Sequence, residues 1–226
     1  MIFSESEYFG GALTLIVFFI GFLLKKKANW LNPLVFSVVV LIIILNIFNI
    51  DYETYDRGAK YLSYLLTPVT VVLALPLYRQ LNVLKHNAVE IIAGILSGVI
   101  TSMGSIFGLA VIFGLSHEEY ITLLPKSITT AIGMGVSGEF GGIVTITIAV
   151  IMITGILGNV FGELILKLFR VKEPIAKGVA MGTGAHAFGT MKALEMGEIE
   201  GAMSSLSVAV AGLITVIFAS FFANLI

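Results

Sequence analysis

The sequence reads as an all-α polytopic membrane protein with about six full transmembrane helices and two opposed re-entrant hairpins. Three observations lead there. Of 226 residues, 58% are hydrophobic and 12% charged, with a mean hydropathy of +1.03, more apolar surface than a soluble domain of this size needs. Apolar runs long enough to cross a hydrocarbon core of about 30 Å recur along the chain. Two short stretches between them are instead rich in glycine and hydroxyl side chains, and irregular backbone at membrane depth is tolerated only where protein buries it or water lines it.

Composition also excludes. A formal net charge of −1 gives no basic field for nucleic acid. The chain has no cysteine, which removes disulfides, thiolate metal sites and cysteine catalysis, and His86, His117 and His186 are too dispersed for a histidine metal cluster. Nucleophile-elbow, phosphate-loop, HExxH and paired-carboxylate patterns are missing, so an enzyme is not expected and no cofactor is implied. Met1 to Gly10 carries Glu5 and Glu7 where a cleavable signal would begin basic, so the first apolar run is expected to remain in the mature protein.

Phe9 to Leu24 is a first span with a basic stop at Lys25, Lys26 and Lys27, and Leu31 to Ile50 is a second. Asp51, Glu53, Asp56, Arg57 and Lys60 follow as a mixed loop. Tyr61 to Tyr78 is a third span containing Pro68 and Pro76; proline removes a backbone donor, so this helix is expected to be kinked or broken near Thr67 and Pro68, either as an ordinary kink or as one that shapes a site. After a loop from Arg79 to Lys85, Val89 to Leu115 is a fourth span whose Gly94, Gly98, Gly104 and Gly108 suit close helix packing.

Orientation follows the lysine and arginine content of the loops. It puts the Lys25 to Lys27, Arg79 to Lys85 and Lys167 to Lys177 clusters in the cytoplasm and the N-terminus outside. His117 to Glu119 is then outside, and Gly141 to Phe169 is the span that returns inward. Tyr120 to Phe140 must make no net crossing, and its Pro125, Gly133, Gly135 and Gly138 agree with a hairpin dipping in from outside. By the same reasoning Lys177 to Glu198 dips in from the cytoplasm and Gly201 to Ile226 is the last span, leaving the C-terminus outside. At an offset of 51 residues Lys126 falls on Lys177, Gly133 on Gly184 and Gly138 on Gly189, suggesting the inverted repeat that secondary transporters use to build a midplane site.

The runs LLTPVTVVLALPLYRQL (Leu65 to Leu81), LLPKSITTAIGMGVSGEFGG (Leu123 to Gly142), ITGILGNVFG (Ile153 to Gly162) and the Ile175 to Ala202 stretch with GTGAHAFGT resemble the LrgB/CidB family of bacterial membrane proteins. Ala131 and Glu163 stand where that family commonly has proline. The resemblance implies one LrgB-like domain over 1–226, in a bacterial inner membrane, and two classes of function. One is an antiholin-like modulator of murein hydrolase activity and cell lysis, acting with a small LrgA-like membrane partner. The other is carriage of small carboxylates such as glycolate, glycerate and pyruvate.

Broken helices with polar groups facing one another fit carriage better than a bundle of plain hydrophobic helices. The architecture expected is an elevator-like transporter by alternating access: scaffold helices in 1–80, able to form a homodimer, and a transport unit in 89–226 with hairpins at 120–140 and 175–198. Half-helix N-termini favour an anionic substrate. The expected contacts are Ser127, Thr129, Thr130, Ser137 and Gly138 from the first hairpin and Thr183, Gly184, His186, Gly189 and Thr190 from the second. His186 either holds the anion or a coupling proton when protonated, or is a neutral histidine bonded to backbone. Lys126 and Lys177 either draw anions inward or are solvated charges at the hairpin feet. Glu195, Glu198 and Glu200 read as helix-start carboxylates before the last span.

Overall fold

The computed structural model describes residues 6–28, 31–65, 68, 75 and 78–226. The described residues are helical with no strand, and they fall into two compact units divided after Val72.

The first unit holds α1 (Phe9–Lys25), α2 (Pro33–Ile47) and α3 (Tyr52–Ser63). Asn32 starts α2: its side-chain oxygen accepts from the N–H of Leu34 at 2.9 Å, and Pro33 occupies the first turn, where a missing N–H costs nothing. The expected loop at 51–60 is instead helical. Glu53 sits in the first turn of α3 and Lys60 in its last, each favourable to the helix dipole. Glycines let α3 lie against α1: a Cβ on Gly58 would come within 2.6 Å of the Gly10 nitrogen. Thr14 and Tyr55 join across that contact through their hydroxyls at 2.7 Å. The break expected near Thr67 and Pro68 in the third span falls in a stretch, 66–77, of which only residues 68 and 75 are described.

The second unit contains α4 (Leu81–His86), where a loop was expected, then α5 (Ala88–Phe113), α6 (His117–Leu123), α7 (Thr130–Glu139), α8 (Val144–Leu168), α9 (Pro174–Met196) and α10 (Glu198–Ala223). Helices α5, α8 and α10, of 26, 25 and 26 residues, are long and apolar enough to cross a membrane; α1 and α2 are shorter apolar helices. Their faces are sorted as in a membrane bundle. On α8 the buried stripe is Thr147, Ile151, Gly155, Asn159, Gly162 and Leu166, half of it small or hydroxylated, whereas Ile153, Leu157, Leu164 and Leu168 are exposed. Small and polar residues inside with apolar residues outside suit a lipid solvent.

Two hairpins lie among these long helices. The first is α6, a turn at 124–129, and α7. Ser116 begins it with a capping box: its hydroxyl accepts from the Glu119 N–H at 3.3 Å, and the Glu119 carboxylate accepts from the Ser116 N–H at 2.8 Å. The second is α9, continuous in outline but broken at Ala185 (φ −134°, ψ 16°) and His186 (φ 42°, ψ −134°). Its halves fold back on one another, because a Cβ on Gly189 would run into the Met181 carbonyl, eight residues earlier. In a straight helix those residues would stand about 12 Å apart.

Contacts along α5 give the hairpins' directions. Gly94 meets Val179 and Gly98 meets Thr183, so the first arm of the second hairpin runs parallel to α5. Phe107 stacks edge-on with Tyr120, and Ser102 bonds to Ser127, so the first arm of the other hairpin runs antiparallel. The hairpins therefore enter from opposite ends and their turns meet beside Gly98 to Ser102. Their ends register at an offset of 57, His117 on Pro174 and Glu139 on Met196, not at the 51 that the glycine pattern suggested. Glycines recur every few residues in both arms, so several offsets match equally well until the helix ends are known.

Candidate functional site

Beside the meeting turns, α5 and both hairpins line an open cavity of about 820 Å³. From α5 come two neighbouring stripes at four-residue spacing: Glu90, Gly94, Gly98 and Ser102, and Ser97, Thr101 and Ser105. The first hairpin adds Lys126 and Ser127, and the second adds Glu173, Val179, Thr183 and Gly184. Under the 57-residue register Lys126 is the counterpart of Thr183, and Ser127 of Gly184.

Lys126 is the only cation among the described residues lining this cavity. Its Nζ donates to Ser127 Oγ at 3.0 Å and to Ser102 Oγ at 3.2 Å, and those two hydroxyls are 2.9 Å apart. An ammonium has three donors, so one is left for the cavity. Among the described residues no carboxylate pairs with it. Glu90 and Glu173 lie toward the cavity's other end; Glu90 is twelve residues from Ser102 along α5, about 18 Å. Thr183 is buried, and its hydroxyl has no hydrogen-bond partner. Gly98 makes room for it, since a Cβ there would lie 2.6 Å from Thr183 Cγ2.

Of the ten residues expected to contact substrate, the structure puts Ser127, Thr183 and Gly184 on the cavity. The others lie elsewhere in the hairpins. Ser137 is buried with its hydroxyl 2.7 Å from Thr147 Oγ1, which lies 2.9 Å from the Thr122 carbonyl that can accept its proton, tying the first hairpin to α8. Thr129 and Thr130 start α7, and Gly138 lies in its last turn against Val144. His186 is buried at the second turn, where Nε2 donates to the Ile151 carbonyl at 3.0 Å and the ring meets Phe188 edge-on. Gly189 sits where the two arms touch. Thr190 donates to the His186 carbonyl at 3.1 Å and shares a 2.9 Å bond with Ser204 of α10.

The hydroxyls of α5 did not enter the sequence-based set. Their signal was present, as Ser97, Thr101 and Ser105 repeat every four residues on a helix otherwise read only for its glycines. Lys177 pairs with Glu200 at 3.9 Å, away from this cavity. Glu163, where proline was expected, is clasped by Lys167 at 2.6 Å and Lys192 at 2.9 Å.

Comparison with known proteins gives one family. The LrgB-like family matches over residues 14–225. "Antiholin-like protein LrgB" of Bacillus cereus (strain B4264) is 39% identical over 217 residues, covering 95% of this chain and 94% of that protein; the protein of the same name from Bacillus anthracis (strain A0248) matches equally. No solved structure matches. A match over nearly the whole chain, to relatives aligned over nearly their whole length, places this membrane protein in the LrgB-like family.

Proposed function

We propose that this protein carries small monocarboxylates across a bacterial cell membrane by alternating access, binding them between the turns of its two hairpins. The observation that carries this reading is Lys126: a half-buried ammonium beside two serine hydroxyls, with a donor free toward a cavity and no carboxylate partner among the described residues. A buried charge without a counter-charge is costly, and an anionic substrate would supply one. The α7 N-terminus and the second arm of α9 both begin at the turns, adding partial positive charge on the same side. Lys126, Ser102, Ser127, Thr183 and Gly184 are the contacts proposed. Thr129, Thr130, Ser137, Gly138, His186, Gly189 and Thr190 hold the turns in shape. The first unit serves as scaffold and dimer contact, and both termini lie outside.

A second reading has its own support. The relatives are named antiholin-like proteins, which favours a regulator of murein hydrolase activity and lysis working with an LrgA-like partner, and favours it over carriage. The two separate in proteoliposomes holding this chain and fed labelled pyruvate, glycolate or glycerate. Carriage predicts saturable, selective uptake that falls roughly tenfold or more in Lys126→Met, the scale of one charged hydrogen bond. If nothing moves with this chain alone or with an LrgA-like protein added, while deletion still alters autolysis, regulation is the function.

A further inference from the structure

Among the described residues three helices end in the same way, on a residue with left-handed backbone whose successor donates to the carbonyl five residues earlier. After α2 that residue is Asn49 (φ 49°), with Ile50 bonded to Leu45; after α5 it is Gly114 (φ 65°), with Leu115 bonded to Ala110. After α8 it is Arg170 (φ 56°), with Val171 bonded to Leu166. Glycine takes such a position without steric cost, and asparagine adapts to it. Arginine gains nothing from the backbone there, so the reason for it lies in its side chain.

That side chain lines an open cavity of about 540 Å³ bounded by the end of α8, both arms of α9 and the first turn of α10. Most charges around this cavity are matched to one another. Glu163 lies between Lys167 at 2.6 Å and Lys192 at 2.9 Å, Glu195 is 3.2 Å from Lys192, and Lys177 faces Glu200 at 3.9 Å. Arg170 and Lys172, in the connection between α8 and α9, line the same cavity, and no carboxylate among the described residues is within ion-pair distance of either. An arginine takes two phosphate oxygens through parallel N–H bonds, and a lysine adds a point charge.

The neighbouring surface distinguishes a lipid phosphate from a soluble one. Ile153, Leu157, Phe161, Leu164 and Leu168 are exposed and share one face of α8, a stripe of about 22 Å that runs up to this connection, where exposed Phe169 continues it. A phospholipid uses both features, its headgroup at the end of the helix and its chains along the stripe; a soluble phosphate ester uses only the cations. We propose that Arg170 and Lys172 form a binding site for the phosphate of an anionic phospholipid whose acyl chains lie along the exposed face of α8. The site stands apart from the Lys126 cavity and holds whether the chain carries solutes or regulates lysis. Basic pockets at the ends of spanning helices receive such headgroups, each cation contributing roughly fivefold to the attraction.

The test titrates the full chain, purified in detergent, with phosphatidylglycerol and counts bound lipid by native mass spectrometry, with phosphatidylcholine and glycerol phosphate as comparators. Wild type should bind phosphatidylglycerol about tenfold or more tightly than phosphatidylcholine. Arg170→Gln with Lys172→Gln should lose that preference at unchanged Tm. Arg170→Gly should weaken lipid binding yet keep or raise Tm, because glycine suits φ 56°. Lys26→Gln with Lys27→Gln removes as much charge from another basic segment and should leave binding as it is. Equal weakening in that control pair, or a wild type without preference for phosphatidylglycerol, would overturn the proposal and reduce it to attraction by overall charge. Displacement of the lipid by an equal concentration of glycerol phosphate would overturn the lipid assignment and give the two cations to a soluble phosphate ester.

Discussion

His186 occupies left-handed backbone at φ 42°, the residue is 2% exposed, and its Nε2 donates to the carbonyl of Ile151. Both functions weighed for it from sequence, anion or proton holder and backbone-bonded histidine, used the same facts: an imidazole in a glycine-rich break. Sequence places the break but not the carbonyl 35 residues away that the ring meets. His186→Ala removes that hydrogen bond and leaves a cavity where the buried ring packs, and we expect it to lower stability by about 1–3 kcal/mol, seen as a lower Tm of the detergent-purified chain, with glycolate binding by the folded fraction unchanged. Lys126→Met should do the opposite, keeping Tm and losing binding. A His186→Ala protein of normal Tm that no longer binds would return the histidine to the site. The serines and threonines were harder to sort, because a hydroxyl serves packing or ligand with the same formula. Ser137 is spent on Thr147, whereas Thr183 is spent on nothing within the protein.

At the scale of elements, the long spans were legible as apolar runs, and the hairpins as glycine, proline and hydroxyl clusters that could not cross. Helices at 52–63 and 81–86 were missed because their charge and polarity resemble those of a loop, although the polar face of α3 follows helical spacing. The register of the hairpins needed contacts that glycine counting does not supply. Gly189 is the tightest point of the second hairpin, so Gly189→Ala should cut the yield of monodisperse protein severely. Gly184→Ala, with nothing within 4 Å of the added carbon, should express normally. The first hairpin depends on its cap. The Ser116 backbone N–H and hydroxyl hold the Glu119 carboxyl below the usual carboxylate range, so this stabilisation is complete at neutral pH and lost as the pH falls through that lowered value. Hydrogen exchange across 117–123 should quicken in Ser116→Ala at neutral pH, and the difference from wild type should shrink in acid.

For the whole molecule, the absence of native cysteine makes introduced pairs clean reporters. A Cβ on Gly94 would lie 3.2 Å from Val179 Cγ1, so Gly94→Cys with Val179→Cys should cross-link on oxidation and pin the second hairpin to α5. Under the carrier reading uptake stops with the cross-link and returns on reduction; full uptake by the cross-linked protein would mean that this wall of the cavity does not move. What sequence supplied at this scale was the membrane and the family. What it withheld was the meeting point, which depends on where Gly98 and Ser102 fall relative to two turns far away in the chain. The solitary charge at that point also has an electrical meaning. Without a carboxylate partner, a binding centre around Lys126 carries one positive charge when empty and none when a monoanion is bound. Each elementary charge moved through a potential of 100 mV involves about 2.3 kcal/mol. The loaded centre would therefore cross indifferent to membrane voltage, and the empty one would not, so voltage should govern the return half of the cycle: net uptake should respond to an imposed potential, while one-for-one exchange of the same carboxylate should not.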